Sequence, residues 1–205
     1  MTLAFFDPRT GALREFKPAS PPAVGVEAAG TSTREQAAAS ALGDALRFVG
    51  LDPLPGGEIR VGGRDPGPAA VWLAVAGLAG GAEPSAAALA SRGFLPADFR
   101  YLCLKTSYRR PLAFSWEVLA DARAERARLA AAARALAGVT QEPSPRARAA
   151  YLLRFRDCLT RDLDLPGALD CVWDGLRPGA LSPGSRAALL REALPALGLS
   201  AGSQY

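Results

Sequence analysis

GFLPADFRYLCLKTSYRRPLAFSWE, residues 93–117, is the stretch around which the rest of the chain is organised. Pro96 suits the first position of a helix, where its missing N–H leaves no hydrogen bond unmade. Apolar residues then follow helical spacing in two stripes, one beginning at Phe99 and the other two residues later. A helix with two apolar sides packs between neighbours. Pro111 ends it, because the residue before a proline avoids the α region, and Ser115 is placed to cap the next helix.

Downstream of this stretch the sequence predicts only helices. They cover residues 116–137, a segment beginning near Pro145, residues 168–176, and a segment from Pro183 to about Leu197. The loops between them are polar and rich in glycine and proline, as expected between antiparallel helices. We therefore predict an all-α antiparallel bundle over residues 81–205.

The first eighty residues instead have the pattern of an α/β fold. Residues 2–7, 11–17, 23–28 and about 58–61 predict short strands separated by proline-rich turns. Residues 31–49 predict a helix capped by Thr31 or Ser32, and the apolar run 69–78 fits a buried strand or a short helix. A short helix capped by Ser85 follows and reaches Arg92. A strand that feeds a helix through a glycine is the first unit of a nucleotide-binding fold, so residues 1–80 are predicted to be Rossmann-like.

The stretch 93–117 resembles the segment of cysteinyl-tRNA synthetases that joins the catalytic domain to the helical tRNA-binding domain. The family pattern is approximately GY-x-P-x-x-L-R-Y-x-L-L-x-x-H-Y-R-x-P-L-x-F-S, and Ser107 stands in its histidine position. The residues that hold or conservatively match it are Gly93, Phe94, Pro96, Phe99, Arg100, Tyr101, Leu102, Leu104, Tyr108, Arg109, Pro111, Leu112, Phe114 and Ser115. FFDPRTGALREFKP near the start and FRDCLTRDLDLPGALDCVW in the later helices resemble two further family segments. The resemblance implies a truncated Rossmann-like part, residues 1–80, and a DALR-type helical bundle, residues 81–205.

The motifs that this family uses for aminoacylation have no counterpart in the sequence. The resemblance implies a motif of the H-I-G-H type at the start of the first helix, and residues 30–48 contain none. Ala29 stands where the family has a zinc-ligating cysteine, and the chain has no histidine. The stretch 76–83, in the place of the lysine-rich mobile loop, contains no lysine or arginine. We therefore predict a catalytically inactive relative that is not an enzyme and has no catalytic residue, metal or cofactor.

Composition limits the remaining classes of function. The chain has 205 residues, 49% hydrophobic and 21% charged, which suits a globular protein. Its three cysteines, Cys103, Cys158 and Cys171, lack C-x-x-C spacing and lie among apolar residues, so they are predicted to be buried reduced thiols. No apolar run is long enough to cross a bilayer and the first residues lack a basic signal-peptide start, so we expect a cytoplasmic protein without a membrane partner.

A basic surface is the main functional signal in the sequence. The net charge of +4 comes almost wholly from arginine, whose guanidinium group suits phosphate. The predicted nucleic-acid-binding residues are Arg100, Lys105, Arg109, Arg110, Arg146, Arg148, Arg154 and Arg156. The alternative is a set of solvated faces whose arginines pair with nearby aspartates.

Three hypotheses about function follow from this sequence. The first is binding of tRNA or another structured nucleic acid through the helical bundle. The second is a protein-interaction or assembly module, acting as a homodimer or with a protein partner. The third and weakest is a small-molecule sensor that keeps part of a nucleotide pocket near residues 30–34.

Overall fold

The computed structural model describes residues 2–65, 67, 69–79 and 82–199. Its strands are β1 (Leu3–Asp7), β2 (Ala12–Phe16), β3 (Ala23–Ala28), β4 (Asp52–Pro55), β5 (Ile59–Gly62), β6 (Val71–Ala74), β7 (Leu78–Ala79) and β8 (Leu112–Ala113). Its helices are α1 (Thr33–Phe48), α2 (Ala86–Ser91), α3 (Pro96–Leu104), α4 (Trp116–Leu136), α5 (Pro145–Thr160), α6 (Leu165–Leu176) and α7 (Pro183–Ala196). The predicted boundary between residues 80 and 81 lies outside the described residues.

A four-stranded parallel sheet forms the core of the N-terminal part. Its strand order is β4-β3-β5-β6, and α1 connects β3 to β4 and packs on the sheet. β1 and β2 form an antiparallel hairpin with Leu3 opposite Phe16, and β1 lies against β6. The mixed α/β part followed by helices confirms the predicted fold class at this level.

Three strands of the structure, β4, β7 and β8, were not predicted separately from the sequence. β4 contains Pro53 and Pro55, which argue against a strand in a sequence, but it is an edge strand paired only with β3, where missing N–H groups are tolerated. β8 is a two-residue strand paired with β7, too short for periodicity to reveal. The ambiguous run 69–78 contains the strand β6 rather than a helix.

The helix α3 begins at Pro96 as predicted but ends at Leu104, well before Pro111. The chain turns after Lys105 so that Tyr108, 3% exposed, is buried and donates its hydroxyl to Asp162 at 2.6 Å. The cap of α6 is provided by Asp164, whose carboxylate accepts from the Gly167 N–H. A tertiary contact therefore overrides the helical pattern of residues 105–110.

The helical part packs around side chains from several helices. α4 contacts α3 and α7, and α5 contacts both α6 and α7. Tyr101 and Phe155 are fully buried, and the Tyr101 hydroxyl accepts from the indole N–H of Trp173 at 3.0 Å. α1 contacts α3 and α7, which joins the sheet to the helices. Among the described residues, no helix has the length and hydropathy of a membrane span.

The Glu58 carboxylate ties the start of β3 to the preceding loop. It accepts hydrogen bonds from the backbone N–H groups of Gly25 at 2.7 Å and Ala19 at 2.9 Å. These bonds to the ionised form hold the pKa of Glu58 below its ordinary value of 4.5. The stability that Glu58 contributes is therefore present above that ordinary value and is lost as the pH falls through the lowered folded-state pKa.

We expect Glu58→Gln to lower the free energy of unfolding by about 1–2 kcal/mol at pH 7, because an amide offers one acceptor oxygen where the carboxylate offers two. Urea unfolding between about pH 3 and 7 measures this. The difference between Glu58→Gln and the unsubstituted protein should shrink as the pH falls. A constant difference over that range would show that ionisation of Glu58 does not contribute to the free energy of unfolding.

Candidate functional site

A cleft of about 450 Å³ lies at the carboxyl ends of the parallel strands. β3 and β5 are neighbours in the sheet, but the chain leaves β3 through α1 toward β4 on the other side. In open α/β sheets ligands bind in the crevice at such a switch point. The first turn of α1, the residues after β5 and the segment between β6 and β7 line the cleft.

Carboxylates of the chain itself occupy the N-terminal end of α1. The Ser32 hydroxyl accepts from the Glu35 N–H, and the Glu35 carboxylate accepts from the Ser32 N–H, both at 3.1 Å. The second Glu35 oxygen accepts from the Gly63 N–H at 2.5 Å. Glu83 accepts from the Arg34 N–H, also at 2.5 Å. Of the two caps predicted from the sequence, Ser32 is the one present, and it forms a capping box with Glu35 that extends across the cleft to Gly63 after β5.

An anionic ligand would have to compete with these carboxylates for the N–H groups at the N-terminal end of α1. A helix N-terminus next to such a crevice ordinarily offers N–H groups to a phosphate. In this structure a phosphate has to displace Glu35 or Glu83 to reach the Ser32, Arg34 and Gly63 N–H groups. The remaining cation at the cleft is Arg64, which is exposed.

The Arg34 side chain is a structural clamp behind the cleft. It is 3% exposed, and its guanidinium group donates to the carbonyls of Ala76 and Gly77 at 2.5 and 2.6 Å. It also donates to the carbonyls of Ser107 and Arg110 at 3.2 and 2.6 Å. Burial lowers the pKa of Arg34. Sequence reasoning placed Arg34 only at the edge of a possible pocket; an arginine in the first turn of the helix, two residues after its cap, was the one available signal.

Arg100 lies in the interior, unlike the other predicted basic residues. Its side chain is 8% exposed and donates to Asp44 at 2.7 Å, to the Ser40 hydroxyl at 2.7 Å and to the Leu197 carbonyl at 3.1 Å. These contacts connect α3 to α1 and to the end of α7. The structure thus gives Arg100 a packing role, and its buried guanidinium group is not presented to a nucleic acid.

The basic residues after α3 have mixed surroundings. Lys105 pairs with Glu125 at 2.7 Å. Arg109 pairs with Asp162 at 2.9 Å and lies over the Phe6 ring at 4.3 Å. The Arg110 side chain is exposed and forms no ion pair with any described residue. Because Asp162 directly follows the C-terminal cap of α5, its pair with Arg109 places Arg109 beside the C-terminal end of α5.

The helix α5 carries the other predicted basic residues. Arg146, Arg154 and Arg156 are exposed, and Arg146 forms no ion pair with any described residue. Arg154 pairs with Asp174 at 3.3 Å with 59% of its side chain exposed. Arg148 lies against α7 and pairs with Glu192. The predicted basic residues other than Arg100 are exposed or half-buried, and we call this set the α5 surface: Lys105, Arg109, Arg110, Arg146, Arg148, Arg154 and Arg156.

The three cysteines are free thiols, as predicted, but only Cys171 is buried, whereas Cys103 and Cys158 are half-buried. Burial raises the pKa of Cys103 to about 12 and that of Cys158 to about 11, and it also raises the pKa of Cys171. These thiols therefore stay protonated near neutral pH, which makes them poor nucleophiles. Within the described ranges, no three His, Cys, Asp or Glu side chains are grouped closely enough to hold a metal ion.

Comparison with known proteins identifies relatives of this chain. The cysteine–tRNA ligases of two strains of Treponema pallidum, one of them strain Nichols, are each 35% identical over 130 residues, covering 54% of this chain and 25% of the relative. Cysteine–tRNA ligase 1 of Burkholderia lata is 38% identical over 89 residues, covering 43% of this chain and 18% of the relative. The chain thus spans about a quarter or less of the length of these relatives. No family model matches it.

These relatives correct one prediction. The chain was predicted not to be an enzyme because the synthetase motifs have no counterpart in it, but the proteins that share its sequence are named as ligases, which are enzymes. The prediction compared this chain with the motifs of a whole synthetase, whereas the match covers a quarter of one. The resemblance itself is confirmed: along about half of its length, this chain is cysteinyl-tRNA synthetase-like.

Proposed function

We propose that this chain binds tRNA through the α5 surface. Its relatives are named cysteine–tRNA ligases, and tRNA is therefore the structured nucleic acid proposed. The observation that carries the proposal is the charge of α5, which has four arginines against a single acidic residue, Asp157. A nucleic-acid backbone is a ligand whose phosphates suit exposed arginines of this kind.

The distribution of charge along α5 supports phosphate binding. Helices usually carry acidic residues in their first turn, because the N-terminal end of the helix dipole is positive. α5 has none there and instead begins with Arg146 and Arg148. Positive side chains thus add to the positive end of the dipole, a local cost that a bound phosphate relieves.

The ion pairs of the α5 surface do not oppose binding strongly. Exposed pairs such as Arg154–Asp174 contribute roughly 0–1 kcal/mol. An arginine can exchange such a partner for a phosphate group at little cost. With a rise of about 1.5 Å per residue, the sixteen residues of α5 extend the surface over about 24 Å.

The test is binding of total tRNA by Arg146→Ala/Arg154→Ala, measured by fluorescence anisotropy at about 50 and 200 mM salt. The unsubstituted protein should lose affinity steeply with salt. The double variant should bind about tenfold or more weakly at the lower salt and show a salt slope smaller by about 2, because two phosphate contacts are lost. Duplex DNA as a second ligand tests whether tRNA is preferred.

A matched control removes two other exposed arginines, in Arg14→Ala/Arg47→Ala. Their side chains are 60% and 62% exposed and each pairs with one aspartate. This control changes the net charge equally, so it separates a local surface from overall charge. Equal loss in both double variants, or no binding of tRNA at the lower salt, would contradict the proposal.

A further inference from the structure

An apolar groove of about 320 Å³ runs between the C-terminal half of α4 and the helix α7. Its α4 side is formed by Ala133, Leu136 and Ala137, and on its α7 side Leu190 and Leu194 contribute to the floor. The alanines leave space where larger side chains would close the helices together. The groove is separate from the cleft of the sheet and shares no lining residue with it.

The rim of the groove is positively charged. Arg191 lines it, is exposed and forms no ion pair with any described residue. Arg134 does not line the groove but follows the lining residue Ala133 in the last turn of α4, and it is exposed and without an ion pair in the described part of the chain. The acidic neighbour on α7, Glu192, is already paired with Arg148. An apolar floor beside arginines without ion pairs is complementary to a helix that carries an apolar stripe flanked by carboxylates.

The same features select among possible occupants. The lining contains no aromatic ring, so the groove offers no stacking platform for a nucleic-acid base. A second copy docking symmetrically would present the same cationic patch to this groove, and like charges disfavour that contact. Residues 200–205, with the sequence SAGSQY, contain no acidic side chain and no run of apolar residues to fill the groove.

We infer that this groove binds an acidic amphipathic helix of a partner protein. Apolar side chains at helical spacing insert between α4 and α7, and carboxylates flanking that stripe pair with Arg191 and Arg134. Pro195 also lines the groove; it has no N–H, so the Arg191 carbonyl lacks the hydrogen bond that residue i+4 of a helix usually donates. This inference does not depend on binding of tRNA at the α5 surface.

The experiment uses the full chain and a fluorescein-labelled peptide of about 18 residues, with leucines at i, i+4, i+7 and i+11 and glutamates on both flanks of that stripe. Saturable binding by anisotropy is expected, together with loss of about tenfold or more in Ala133→Trp, which fills the groove, and in Arg191→Glu, which reverses the rim charge. A peptide with lysine in place of glutamate should prefer Arg191→Glu to the unsubstituted protein.

Two matched control variants test whether the loss of peptide binding is specific to the groove. Ala131→Trp adds the same ring at an exposed position of α4 outside the groove, and Arg177→Glu makes the same charge change on a residue that is 75% exposed. Both should bind the glutamate peptide as the unsubstituted protein does. No saturable binding, or equal binding of a scrambled peptide, overturns the inference. Loss of tRNA binding in Arg191→Glu without any peptide binding would assign the rim to nucleic acid and also overturn it.

Discussion

Arg34→Met is expected to lower the free energy of unfolding by about 3 kcal/mol or more. Methionine fills much of the same volume but supplies none of the donors that serve the carbonyls of Ala76, Gly77, Ser107 and Arg110. Buried acceptors left without a partner cost roughly 1–3 kcal/mol each, offset in part because a desolvated guanidinium is removed. Urea unfolding at pH 7 measures the difference.

The same variant should also disturb the cleft. Arg34 is the side chain that holds the segment between β6 and β7 against the turn before β8. Amide hydrogen exchange in residues 75–79 and 106–112 should therefore become faster in Arg34→Met, beyond the change seen in the rest of the sheet. Arg34→Lys should be intermediate, because a single ammonium group cannot reach both segments as the planar guanidinium does.

Arg47→Met is the matched control for Arg34→Met, since it removes an arginine from the same helix. The Arg47 side chain is 62% exposed and pairs only across one helical turn with Asp44. We expect a change of less than about 0.5 kcal/mol, as is usual for exposed pairs within a helix. If Arg34→Met were no more destabilising than this control, the four carbonyls would not depend on the guanidinium.

Asp44→Ala is expected to cost about 3–5 kcal/mol of unfolding free energy. It removes the carboxylate that accepts from the buried Arg100 guanidinium at 2.7 Å. Burial raises the pKa of Asp44, whereas the charge of Arg100 acts in the opposite direction. A charge left in the interior without that carboxylate is expensive, so the loss should exceed that of any exposed ion pair in this chain.

A double-mutant cycle with Asp44→Leu and Arg100→Met tests the origin of this loss. Replacing both partners by apolar residues removes the uncompensated charge, so the double variant should be more stable than Asp44→Leu and lie within about 1–2 kcal/mol of the unsubstituted protein. Strictly additive effects would contradict the coupling. Because this pair joins α1 to α3, Asp44→Leu should also weaken the contact between the sheet and the helices.

Caps and periodicity explain which elements could be predicted from the sequence. Ser32 with Glu35, Ser85, Ser115 and Ser182 all cap helices through their hydroxyls, a local interaction between residues three apart. The start of α3 at Pro96 was equally local. The early end of α3 was not predicted. After it, the Tyr108 hydroxyl forms a hydrogen bond with Asp162, which lies 54 residues away in the sequence.

The candidate sites likewise contain residues that the sequence indicated and features that only the structure revealed. Exposed arginines of α5 were predicted from their density in one helix, and the structure places them at its surface. Arg100 of α3 was also predicted to be a nucleic-acid-binding residue, yet it is buried, and its guanidinium group donates to Asp44 and Ser40 of α1. The groove between α4 and α7 has no sequence signature, since it depends on which alanines of two distant helices come to face each other.

The sequence by itself determined the two-part architecture, most helix starts, the reduced state of the cysteines and the resemblance to cysteinyl-tRNA synthetases. All of these rest on interactions or patterns within a few residues or one ungapped stretch. Tertiary structure alone decided that Glu35 also accepts from the Gly63 N–H, that Glu83 accepts from the Arg34 N–H at the start of α1, and that Arg34 clamps two loops. The partners of Arg34 are backbone carbonyls 42 to 76 residues away, and every residue type has a carbonyl, so no choice of amino acid marks them in the sequence.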